Sequence, residues 1–258
     1  MVEPLTIPPA APSAPRRRLT RRRVVICLIA SPFLLILLLV ALVALHFVLS
    51  GGYYRAKYAG PSAPAPNRPI ASPRPASVNL QLLDHTCGFL SLEAVYRAYG
   101  VSPEQTDLRF RLGVDQPAIP RFTSTRGTLH PDMFRVLAQN GFAFRTVDPQ
   151  SPRAALALGD HLRRHVAIAL IVREATNGLH WIVIDRNGPA SAPETFLVVD
   201  PLDPEPRSVT QRSLFTPRLV SLVLIAPAEE PSAATLSELH DAGLREMARV
   251  RERAAAID

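Results

Sequence analysis

The chain is poor in cysteine, and one long stretch lacks formal charge altogether. There are two cysteines in 258 residues. Cys27 sits inside an apolar run and Cys87 lies far beyond it, so the two do not pair and a disulfide framework is excluded. No Cys/His spacing of the zinc-binding kind is present either, and the sequence implies neither a metal nor a cofactor. No internal repeat is visible. From Val24 to Ser50 there are 27 residues without Asp, Glu, Lys or Arg. That is longer than the apolar core of a signal peptide and long enough to span a bilayer. No small-x-small cleavage site ends it. A transmembrane signal-anchor helix over 24–50 is the expectation.

The formal charge is +7, but it is unevenly placed. Residues 1–23 carry +5 and residues 51–78 carry +4, so residues 79–258 hold the balance, −2. The basic charge flanks the apolar run and the rest is mildly acidic, which argues against a nucleic-acid partner. Six arginines immediately before the span predict a cytoplasmic N-terminal tail, 1–23, with the remainder exported. The expected location is the bacterial inner membrane, single-pass, with a periplasmic or extracytoplasmic domain. Residues 51–77 are rich in proline mixed with Ala, Ser and Gly, and read as an extended linker.

Residues 78–227 read as one α+β domain, with helices first and an antiparallel sheet second. Cys87–Tyr99 has a broad apolar helical face, stopped by Gly100. Ser102-Pro103-Glu104-Gln105 has the form of a capping box opening a short second helix. Pro131–Gln139 is a third helix, closed by Asn140-Gly141. Phe142–Val147 is a strand, and Ser151-Pro152 opens another helix to about Arg164. Four β-rich runs follow: Val166–Arg173, His180–Asp185, Thr195–Asp200 and Leu219–Ile225. In residues 228–258, Leu236, Leu239, Leu244, Met247 and Val250 recur at helical spacing. This predicts an amphipathic helix that either docks on its own domain or pairs with an envelope or secretion-system partner.

Four residues in this order make a hydrolytic constellation. Cys87 begins a helix, where the dipole favours a thiolate, and Gly88 leaves room beside the sulfur. His180 opens a strand and can serve as base. Asp200 ends the next strand and can hold the imidazole tautomer. Gln81, six residues before Cys87, can join the Cys87 N–H in an oxyanion hole. His85 is an alternative base, with Asp84 its nearest acid, and His130 is a helix-entry or cleft residue.

The segments "QLLDHTCGFLSLEAVYRAYG" (81–100), "GTLHPDMFRVLAQNGF" (127–142), "HVAIALIV" (165–172), "HWIVID" (180–185) and "FLVVDPLDP" (196–204) resemble the C39 family of papain-like cysteine peptidases, the bacteriocin-processing or double-glycine type. The resemblance covers roughly residues 78–222. It implies a papain-like fold with Cys87 as nucleophile, His180 as base, Asp200 as orienting acid and Gln81 in the oxyanion hole, acting on a peptide or protein substrate. Thr86 stands where that family has Asp, and Phe89-Leu90-Ser91 replaces its usual small residue. Acyl or peptidyl transfer, and peptide capture without cleavage, are the alternative functions on the same fold.

Overall fold

Short helices ahead of long β-rich runs must bury their apolar faces against a sheet, and the computed structural model shows how. It describes residues 32–45, 73, 75–83, 85–114, 127–176, 178–187, 194–228 and 234–257. The chain divides into two compact units, Met1–Ala56 and Lys57–Asp258. In the first unit, helix α1 (32–45) is exposed along its length. Residues 24–31 and 46–50 of the predicted span lie outside the described residues, as do Cys27, Asp84 and most of the predicted linker. Among the described residues no helix is long and apolar enough to cross a membrane.

The second unit runs α2 (Cys87–Ala98), α3 (Gln105–Arg111), α4 (His130–Gln139), β1 (Phe142–Val147), α5 (Ala154–His161), β2 (Val166–Val172), β3 (Leu179–Asn187), β4 (Thr195–Asp200), β5 (Asp203–Thr210), α6 (Gln211–Leu214), β6 (Leu219–Pro227) and α7 (Leu236–Ala255). The six strands form one antiparallel sheet in the order β1-β6-β2-β3-β4-β5. Gly100 and Gly141 end α2 and α4 in the left-handed region, at φ 72° and 77°.

The sheet is covered on both faces, which explains the unbroken apolar run of β2. Val166, Ile168, Leu170 and Val172 enter the larger core with α2 and α4, while Ala167 and Ala169 enter a second core with Leu158 and Leu214. Alternate side chains of a strand point to opposite faces, so a strand buried on both sides loses its polar alternation. Ala76 and Val78 already belong to the larger core, so the folded part begins within the predicted linker.

Three sequence expectations need correction. The capping box at Ser102 does not form: α3 starts at Gln105 with Glu104 as its N-cap, without a side-chain cap. Gln105 instead donates to Glu93, a buried carboxylate that also takes a 2.7 Å bond from Arg97 and one from Asn79. Satisfying that buried charge outweighs one cap. Strand β5, "DPEPRSVT", is absent from the β-rich runs read in the sequence, because its prolines break the pattern. It lies at the sheet edge, where a missing N–H costs no ladder bond.

The third correction concerns α7. It docks on its own unit, against α4 and β6, but in a rotated register: Leu239, Gly243, Glu246 and Val250 are buried while Leu236 and Leu244 are exposed. Gly243 sets the closeness of approach. A Cβ there would lie 2.4 Å from Pro131 Cα in α4. Glu246 accepts from Ser221 Oγ of β6 (2.8 Å), which is also bonded to His130 Nε2 (3.0 Å), so a polar chain crosses the interface. Gly243→Ala is expected to destabilise the protein by about 1–3 kcal/mol in denaturant unfolding through overpacking against rigid backbone. Leu244→Ala should stay within about 0.5 kcal/mol of the native chain.

Candidate active site

Cys87 begins α2 because the segment before it is tied into a turn. The Leu83 carbonyl accepts from Thr86 N (3.1 Å), Thr86 Oγ1 (2.9 Å) and Gln81 Nε2 (2.8 Å). Thr86 directs its hydroxyl backward and so gives α2 no side-chain cap. The first N–H groups of a helix have no acceptor inside it and carry the positive end of its dipole, which favours negative charge at that point. Gln81 N also donates to Pro201 O at 2.6 Å. The strand of chain leading to Cys87 is thereby strapped to the residue after Asp200.

Two contacts seat α2 on β3. Ser91 is four residues after Cys87, hence on the same helix face. Its hydroxyl donates to the Trp181 carbonyl at 3.2 Å. Gly88 allows the close approach: a Cβ there would meet Thr128 Cβ at 2.4 Å and Trp181 Cδ1 at 2.8 Å. The Trp181 indole is fixed in turn by its N–H bond to Thr128 O, 3.1 Å. The first turn of α2 therefore rests on the neighbour of His180.

Antiparallel pairing of β3 with β4, Val183 opposite Val199, brings the start of one strand beside the end of the other. His180 Nε2 lies 2.6 Å from Asp200 Oδ1, and Cys87 is close enough to His180 to act on its titration. Because Nε2 faces the carboxylate, Nδ1 is the ring nitrogen left for the sulfur. Burial pushes His180 down, but its hydrogen bonds to Asp200 and Cys87, together with their negative charge, carry it up to about 9. Burial pushes Asp200 up; the bonds from His180 and from Leu202 N–H (2.8 Å), and the positive charges of His180 and Arg207, hold it below its ordinary value.

Three of the four predicted residues thus meet in one constellation. Gln81 is placed differently: its described bonds go to Leu83 and Pro201, and its Oε1 is buried without a partner. His85 lines the cavity at Cys87, but the imidazole on which Cys87 acts is that of His180. His130 is buried against Trp181, at 4.9 Å between ring centroids, and burial lowers it to about 3. Among the described residues no cluster of His, Cys, Asp or Glu could hold a metal ion. Sequence reasoning missed Ser91, Thr128 and Arg207. Of these only Ser91 left a signal, its position one helical turn after Cys87.

The surroundings of the constellation divide in two. Cys87 opens on a cavity of about 280 Å³, while His180 and Asp200 line a wider groove of about 750 Å³.

The raised His180 has a definite pH consequence. Its folded value exceeds the ordinary 6.5, so its contribution to stability is full below about pH 6.5 and is lost as pH rises through about 9. NMR of the imidazole ring is expected to find a midpoint near 9 in the native chain. In Asp200→Asn the midpoint should fall by about one unit or more, since an anionic partner is lost. An unchanged midpoint contradicts the assignment.

No protein-family model matches the chain, and no curated protein matches it. Among solved structures it is similar to the peptidase domain of Streptococcus ComA, a bi-functional ABC transporter involved in a quorum-sensing pathway. The identity is 18% and the TM-score 0.44, over 59% of this chain and 98% of that one. It is also similar to a double-glycine-motif protease from an AMS/PCAT transporter, solved in complex with the leader peptide. Here the identity is 13% and the TM-score 0.41, over 64% of this chain and 99% of that one. These structural neighbours are peptidase domains of ABC transporters.

Proposed function

We propose that the chain is a membrane-anchored cysteine peptidase that hydrolyses peptide bonds through Cys87, His180 and Asp200. The observation that carries this is the 2.6 Å bond between His180 and Asp200 beside a thiol that begins a helix and acts on the same imidazole. A core cysteine needs neither partner.

In this reading the Cys87 thiolate adds to a peptide carbonyl carbon and the carbonyl electrons move to oxygen. The Cys87 N–H, at the positive end of α2, receives that oxyanion. His180, protonated at neutral pH, gives its Nδ1 proton to the departing amine as the C–N bond breaks, leaving a thioester on Cys87. The now neutral His180 takes a proton from water, whose oxygen adds to the thioester. The acid is released and the thiolate–imidazolium pair is restored. Asp200 accepts the Nε2–H throughout and keeps the ring oriented.

The same reading anchors the chain through residues 24–50 in a bacterial inner membrane. The basic tail 1–23 stays in the cytoplasm and the folded unit stands on the other side. The six arginines immediately before the apolar run support this orientation.

The test is cleavage of a randomised peptide library by the full-length chain in detergent, with products read by mass spectrometry. Cleavage is expected, and Cys87→Ala and His180→Ala should each lower it by about a thousandfold or more. Cleavage that survives Cys87→Ala overturns the proposal. Binding of peptides without cleavage by the native chain favours the capture function instead.

A further inference from the structure

The cavity beside Cys87 is built partly by a helix that lies outside the region of family resemblance. Its apolar walls are Leu129, Leu170, Leu179, Trp181, Met247 and Val250. The last two belong to α7, and Arg251 of the same helix stands at its rim. Helix α7 is held there by the Gly243–Pro131 approach and the Glu246–Ser221–His130 chain. Arg253 adds bonds to Val220 O (2.6 Å) and Asp148 (3.0 Å). This wall is thus part of the folded unit and fixed in place.

The position of the cavity says which part of a substrate it meets. His180 must face the departing amine, so the leaving side of the peptide lies toward the groove that His180 and Asp200 line. Cys87 opens on a separate cavity, whose lining does not include His180. The acyl side, the part that stays on the sulfur, therefore falls against Met247 and Val250. A volume of about 280 Å³ with apolar walls suits one large apolar side chain and leaves a glycine with nothing to fill it.

We propose that α7 is the specificity-determining element of this site. It walls a subsite for a large aliphatic or aromatic side chain on one of the two acyl-side residues next to the bond cleaved. The inference rests on the hydrolase reading above.

Peptide aldehydes test it without turnover. The thiol sulfur adds to the aldehyde carbon and the thiol proton passes to oxygen, giving a reversible hemithioacetal that shields Cys87 from iodoacetamide. Acetyl-dipeptide aldehydes carrying Gly or Leu at each position are applied to the full-length chain, and alkylation of Cys87 is followed by mass spectrometry. At least one Leu-containing aldehyde should protect about tenfold better than the Gly-Gly aldehyde. Met247→Trp, which fills the cavity, should abolish that advantage. Met247→Ala enlarges the cavity and should move the preference from Leu toward Phe. Leu244→Trp, exposed elsewhere on α7, should change nothing. Equal or better protection by Gly-Gly, no protection by any aldehyde, or a Leu preference that both Met247 variants retain overturns the subsite. The hydrolase reading fails by a different result, cleavage that does not depend on Cys87.

Discussion

The site depends on how closely the first turn of α2 sits on the start of β3. That closeness exists because residue 88 has no Cβ: a methyl group there would occupy the space of Thr128 and Trp181. The Ser91–Trp181 bond then fixes the rotation of the helix, one turn beyond Cys87. With the helix so seated, the sulfur meets the imidazole of His180, and β4 brings Asp200 to the far nitrogen. Without this contact the three groups would be scattered ends of secondary structure.

The charges follow from the same packing. A buried imidazole is ordinarily driven to its neutral form, as His130 is. His180 is nearly as enclosed, yet Asp200 and Cys87 beside it reverse the direction. The contrast between two buried histidines in one protein shows that partners, more than burial, decide whether the ring is driven toward its neutral or its charged form.

Much of this was legible in the sequence, and the reasons are physical. The apolar face of Cys87–Ala98, the strand at Phe142–Val147 and the four β-rich runs obey local periodicity, and local periodicity survives folding. Cys87, His180 and Asp200 were readable because each marks the start or end of an element. What stayed hidden depends on contacts between distant parts of the chain. Gln105 serves buried Glu93 in preference to a helix cap. Proline-bearing β5 is permitted only because it lies at an edge. The face of α7 that docks is chosen by Gly243 and Glu246, a small and a charged residue that a hydrophobic pattern passes over. Gln81 looked like an oxyanion donor from spacing alone, and the structure shows it tying the loop before Cys87 to Pro201 as well.

The central claim is that Cys87 and His180 act as a pair. The pH dependence of Cys87 alkylation by iodoacetamide, compared between the native chain and His180→Ala, measures this directly. The account predicts that removing the imidazole slows alkylation about tenfold or more at neutral pH, so that the two profiles separate there. Superimposable profiles would contradict it, because the thiol would then be indifferent to the imidazole beside it.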